Sequence, residues 1–87
     1  MTNESIIEFP TAFPIKALGK DESGFRQTVL DIVANHASFN PETDVKERLS
    51  GKGNFISVTI TFIAENQTQL DTIYQSLHDH ELVLMVF

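Results

Sequence analysis

The stretch "SGKGNFISVTITFI", residues 50–63, decides how the rest of the chain is read. Ile56, Val58, Ile60 and Phe62 alternate with Ser57, Thr59 and Thr61. A period of two in β-branched and aromatic residues is the pattern of a strand with one apolar and one polar face. The glycines and the asparagine before it tolerate the positive φ that a tight hairpin turn needs. The same stretch invites comparison with the base-stacking strand of RNA-recognition modules, which runs basic, Gly, aromatic, Gly/Ala, aromatic, Val, any, aromatic. Aligned on Lys52 and Gly53, the aromatic positions fall on Asn54, Ile56 and Thr59, so all three rings are missing. Phe55 is one position out of phase and shares the uncovered face with Ser57 and Thr59, which offer no stacking platform. The glycines make a turn.

Working outward, "TDVKERLS", residues 43–50, reads as the strand before that turn. Val45 and Leu49 lie on one face and charges on the other, as in an edge strand protected from unwanted pairing. After the central strand, Asn66 caps a helix, and Gln69 completes a capping-box pattern. Leu70, Ile73, Tyr74 and Leu77 form the helix's buried stripe, "HDH" at 78–80 ends it, and "ELVLMVF" at 81–87 is a last strand, apolar on both faces. Toward the N-terminus, Pro10 and Pro14 bias the residues before them away from helix, which leaves 12–18 as the first strand. Asp21 and Ser23 are candidate N-caps for a helix over 22–37 with Phe25, Val29, Ile32, Val33 and His36 on one stripe. Glu22 suits the positive end of that helix and His36 the negative end. Residues 38–42 form a loop, and residues 1–8 form a flexible N-terminal segment.

The order strand, helix, strand, strand, helix, strand predicts an α+β fold. It is the ferredoxin-like βαββαβ sandwich, a four-stranded antiparallel sheet with two helices on one face, spanning 9–87 as a single domain. Strands one and three are central, and the helix stripes meet Val58, Ile60 and Phe62.

Composition narrows the function classes. At 87 residues the chain suits one domain, with seven Phe as bulky core material. It has no cysteine, which removes disulfides, thiolate metal sites and cysteine nucleophiles. No apolar run approaches the roughly 20 residues of a membrane span, and no basic segment followed by an apolar one opens the chain. A soluble cytoplasmic protein is expected, with no membrane partner. Twelve acids oppose six bases for a net charge of −6, which disfavours a phosphate backbone unless the bases cluster. Lys46, Arg48 and Lys52 are close in sequence, but Asp44 and Glu47 sit among them, so no nucleic-acid partner is expected.

Candidate sites are few. His78 and His80 lie beside Asp79 and Glu81, but ligands two apart face one way only in a strand, and this is a helix end. No metal site and no cofactor are expected. There is no nucleophile elbow, and Ser57 has no histidine near it in sequence, so no catalytic residue is assigned. In "GKDESGF", residues 19–25, backbone amides at a helix start can receive a small anion or carboxylate, which makes Gly19, Asp21, Ser23 and Gly24 a candidate ligand site. Strand four presents either Val83, Met85 and Phe87 or Leu82, Leu84 and Val86 on the face away from the helices. With Phe55 and Ile63, this makes Phe55, Ile63, Met85 and Phe87 a candidate interaction surface. The alternative is that residues 1–9, with Ile6, Ile7 and Phe9, fold back over it.

Two stretches, "EFPTAFPIKALG" at 8–19 and "GKGNFISVTIT" at 51–61, carry a family likeness. With Phe9, Pro10, Lys16, Gly19, Lys52, Gly53, Asn54, Phe55, Ser57, Val58, Met85 and Val86 in place, the chain resembles the YbeD-like family of small bacterial proteins over about residues 8–87. The resemblance implies a ferredoxin-like fold similar to ACT regulatory domains, which bind amino acids at inter-subunit edges. In "GKDESGFRQTVLDI", Asp21, Gly24 and Phe25 are similar to the ACT pattern, with Ser23 where proline is common. The family often carries a basic residue where this chain has Leu84.

The expectation is therefore a small non-catalytic binding or regulatory module, ACT-like, sensing an amino acid or other carboxylate near Gly19–Gly24. The alternative is a protein-interaction adaptor that docks a partner on its apolar sheet face. The partners to expect are a second copy in a homodimer, a protein partner or a small metabolite.

Overall fold

The computed structural model describes residues 7–87. The expected flexible segment 1–8 lies mostly outside them, as does Ile6. Six elements follow in the predicted order: β1 (Thr11–Lys20), α1 (Phe25–Ala34), β2 (Val45–Ser50), β3 (Phe55–Ala64), α2 (Gln67–His78) and β4 (Val83–Val86). The sheet order is β2-β3-β1-β4, with every pairing antiparallel. The fold is the ferredoxin-like sandwich, with β1 and β3 at its centre.

The β1–β3 pair is the backbone of the molecule. Its register runs unbroken from Thr11 opposite Ala64 to Lys20 opposite Phe55. Directly opposed residues share a face. Ile15, Ala17, Val58, Ile60 and Phe62 therefore all point to one side, where each is almost fully buried. Val29 and Val33 of α1 and Leu70, Ile73 and Leu77 of α2 complete that core. Leu30 joins it too, a residue outside the predicted stripe, while His36 lies beyond the helix and exposed. Tyr74 is half-buried and stands edge-on to Phe13, their ring centroids 6.4 Å apart. Asn66 caps α2 as expected, its side chain accepting from the Gln69 amide at 2.8 Å. Gln69 Nε2 donates in turn to the His36 carbonyl, tying the start of α2 to the end of α1. The predicted hairpin turn is present, with Gly51, Lys52 and Gly53 at φ of 60°, 61° and 84°.

Several boundaries differ from the sequence expectation. The first helix runs over Phe25–Ala34, not 22–37, and neither Asp21 nor Ser23 caps it. Its N-cap is Gly24 at φ 90°, with no side-chain cap. The residues before it are used in a tight turn, in which the Phe25 amide donates to the Glu22 carbonyl. Glu22 thus precedes the helix, and His36 follows its C-cap, Asn35. Strand β2 begins at Val45 because Asp44 closes a loop with Asn40, whose amide donates to the Asp44 carboxylate at 2.8 Å. Strand β4 begins at Val83 because His80 to Leu82 form a turn, with the Leu82 amide donating to His80 Nδ1. Charges do not all share one side of β2 either, since Glu47 pairs with Val58 on the helix side and forms an ion pair with Arg26 of α1.

The turn before α1 swings Phe25 into the core, where its ring lies against Gly19. A Cβ on Gly19 would stand 2.3 Å from the Phe25 ring and 2.7 Å from the Leu82 carbonyl oxygen. Real contacts are never that close, so only glycine fits there. Gly19→Ala is expected to cost about 1–3 kcal/mol through overpacking, measured by urea denaturation. Gly19→Ala combined with Phe25→Leu should lose less than the sum of the two single changes, because a shorter side chain reopens the space.

Candidate interaction surface

The strand pleat that buries the core sends the alternate residues to the opposite side of the sheet. Three rungs cross this outer face. In the first, Lys16 lies opposite Thr59, which lies opposite Lys46. In the second, Met85 is opposite Leu18, Leu18 opposite Ser57, and Ser57 opposite Arg48. In the third, Lys20 is opposite Phe55, and Phe55 opposite Ser50. Phe87 extends the first rung, since it and Lys16 exchange backbone hydrogen bonds at 2.8 and 3.2 Å. The Lys16 ammonium lies 5.7 Å from the centre of the Phe87 ring, within reach of a cation–π contact. Pro14 and Thr61, then Ala12 and Ile63, continue the face toward its other end.

No helix or loop among the described residues covers this face, and its apolar side chains stay open. Ile63, Met85 and Phe87 are each about half exposed, and Phe55 about a third. These four are the surface residues expected from the sequence, and the outer face holds all of them. The predicted alternation in β4 fails, however. A bulge between Leu18 and Gly19 shifts the pairing, so that Val83 and Val86 turn toward the core while Leu84, Met85 and Phe87 are exposed. Neither predicted triplet survives as a unit. Of the residues proposed to fold over the face, Ile7 is exposed and Phe9 packs against the core on the helix side.

Charge on this face is one-sided. Lys16, Lys20, Lys46 and Arg48 all point outward and are exposed, and no Asp or Glu accompanies them on the outer positions of the four strands. The one ion pair among the described residues, Arg26 with Glu47, lies on the other side. The acids gather on helices and loops, as Asp31, Asp71, Asp79, Glu65 and Glu81 illustrate. Lys16, Leu18, Arg48, Ser50, Ser57 and Phe87 together line an open hollow of about 330 Å³. Glu47 and Asp44 sit among these bases in sequence, but alternation along β2 removes Glu47 to the opposite face, and the Asp44 carboxylate accepts from the Asn40 amide. The signal was legible in the two-residue spacing of Lys46 and Arg48, and of Lys16, Leu18 and Lys20.

The four residues expected to hold a small ligand lie elsewhere, at the end of β1. Gly19 is buried beneath Phe25. The amides of Asp21, Glu22 and Phe25 already donate to the carbonyls of Asn54, Lys20 and Glu22. The adjoining hollow of about 160 Å³ is lined by Lys20, Glu22, Glu81, Leu82 and Leu84, so an anion there meets two carboxylates. The histidines do not converge: His36 follows α1, His78 ends α2, and His80 Nδ1 accepts from the Leu82 amide. Among the described residues no group of three or more His, Asp or Glu is placed to hold a metal ion, and no helix is long and apolar enough to cross a membrane. On the far side, Tyr74 lines a groove between α2 and β4 with Asp71, Gln75, His78 and Val86, and burial pushes its phenol above the ordinary value of 10.0.

Comparison with known structures places this sandwich among ACT-like folds. The solution structure of protein HP0495 from H. pylori superposes with a TM-score of 0.71 at 16% identity, covering 97% of this chain and 88% of that one. The crystal structure of the ACT domain from GTP pyrophosphokinase of Chlorobium tepidum gives 0.61 at 20% identity, covering 88% and 97%. At those identities the likeness is one of fold. Sequence goes further. The family model described as "Protein of unknown function (DUF493)" matches residues 4–87. The UPF0250 protein NE1487 of Nitrosomonas europaea is 48% identical over 86 residues, 99% of each chain. A UPF0250 protein of Neisseria gonorrhoeae is 46% identical over 82 residues, 94% of this chain and 90% of that one. The chain belongs to this DUF493 family, the YbeD-like group whose motifs its sequence carries.

Two measurements check this geometry. Met85→Ser is expected to change stability by less than about 0.5 kcal/mol, as for an exposed site. Val83→Ala, one bulge away, should cost about 1–3 kcal/mol, and equal effects would refute the register. Tyr74 is the only tyrosine, so tyrosinate absorbance reports on it alone. Its folded value is raised, so its contribution to stability is intact below pH 10 and lost as pH rises through the folded value. Absorbance of the native protein should therefore rise at a higher pH than in urea.

Proposed function

We propose that this chain is a non-catalytic docking module, an ACT-like domain that recruits or regulates a partner protein through its outer sheet face. The observation that carries this reading is the open face itself. Phe55, Ile63, Met85 and Phe87 stand exposed on one side of a sheet whose other side packs its central strands against the helices. Exposed apolar side chains gathered on one face of a small domain mark a place where something binds. The non-catalytic reading draws support from the chemistry at hand, since among the described residues the three histidines do not converge, His78 shares its groove with a single carboxylate, Asp71, and the hollows are open. The absence of cysteine suits the cytoplasm. Sensing of a small carboxylate at Gly19–Gly24 is the weaker reading, because Phe25 fills the space over Gly19 and Glu22 and Glu81 border what is left.

The test is site-directed photo-crosslinking in the native host. A photoreactive phenylalanine analogue in place of Phe55, Met85 or Phe87 should form adducts with a discrete protein. The same analogue at Leu49, exposed at 58% but on the helix side of β2, should not. Adducts from Leu49 alone would move the docking surface to the other side and refute the proposal.

A further inference from the structure

We infer that the segment taken up by this face is acidic: an extended stretch of the partner with Asp or Glu at alternate positions and apolar side chains beside them. This rests on the docking reading and identifies what docks. The observation behind it is the juxtaposition of Lys16, Lys20, Lys46 and Arg48 with Leu18, Phe55, Met85 and Phe87 on a face holding no acid at the outward strand positions. The chain as a whole carries −6, so four cations on one side with no acid at the outward strand positions are a strong local departure. Within a Debye length of about 8 Å, the local charges and not the net charge set the field that a docking group meets.

The spacing suits a polypeptide. Lys46 and Arg48 are two residues apart on β2, about 7 Å, and Lys16 and Lys46 are two strand spacings apart, about 10 Å. Alternate side chains of an extended peptide have that same 7 Å repeat. Thr59, between Lys16 and Lys46, and Thr61 beyond it give hydroxyl partners for peptide groups, whereas Ser57 is buried and its hydroxyl donates to the Arg48 carbonyl. Arg48 can take a carboxylate through two parallel N–H donors, with the hollow beside Leu18 and Phe87 receiving an apolar side chain further along the same side of the peptide.

Other occupants fit less well. Two copies meeting face to face would bring like charges together, and a copy docking its acidic helical side here would make a head-to-tail contact and not the two-fold one commonest in dimers. A nucleic acid strand needs several aromatic platforms on the central strands, where Phe55 at one end is the single outward ring and Leu18, Ser57 and Thr59 fill the middle, and its many phosphates meet the whole chain's negative charge. A membrane needs a continuous apolar surface, whereas a hydroxyl strip divides this one.

The Met85 photo-crosslinking experiment, extended, decides. The adduct should map to a segment of net negative charge, and added salt should reduce its yield. The double variant Lys16→Glu, Arg48→Glu should lower the yield about tenfold or more, with native urea denaturation. Lys16→Gln with Arg48→Gln, a milder change, should fall between. A protein adduct that maps to a neutral or basic segment, or that survives charge reversal, overturns this inference and leaves the docking reading standing. No protein adduct from any outer-face position, or adducts of RNA or lipid instead, overturns both.

Discussion

The antiparallel register between β1 and β3 is the constraint on which the rest depends. Because side chains alternate across a strand, this one register sends Ile15, Ala17, Val58, Ile60 and Phe62 into the core. It sends Lys16, Leu18, Lys20, Ser57 and Thr59 out. A slip by one residue would exchange the two sets, burying lysines and exposing valines, so the core holds the register in place. The outer face therefore inherits its order from the inner one. Its cations are aligned because the apolar residues between them are packed.

A second constraint acts at the end of β1. Phe25 enters the core only because Gly19 has no side chain and because the turn at 21–24 delays the helix by three residues. The resulting contact fills the corner where β1, α1 and the approach to β4 meet. Where a Gly-rich stretch before a helix is often taken for an anion cradle, here the glycine yields its space to a ring. Packing and binding compete for the same residues, and packing has won at this corner.

ACT-like folds share the layers and leave function to what is placed on them. Among the described residues, this domain sets Lys16, Lys20, Lys46 and Arg48 on one side of its sheet. Segregating charge in this way gives a chain of net −6 a basic field over one side of its sheet. Like charges across that face also oppose its pairing with the same face of a second copy.

Much of the fold was legible in the chain. The two-residue period of Ile56, Val58, Ile60 and Phe62, the three-and-four spacing of Leu70, Ile73 and Leu77, and the Asn66 cap are local signals, and each is realised. Phe55 and Ile63 fall on the outer face by the same alternation, whereas the outward placement of Met85 and Phe87 waited on the pairing of β4. What sequence could not decide were matters settled between elements. The bulge in β4 depends on pairing with β1, and an apolar run such as "VLMVF" has no period from which to read its faces. The cap at Gly24, where Asp21 and Ser23 were expected, follows from burying the Phe25 ring against a strand six residues earlier. The basic face itself unites Lys16 with Lys46, thirty positions apart, and only a shared neighbour, Thr59, makes them one site. Alternation is a property of each strand alone; which alternations coincide is decided when the strands pair.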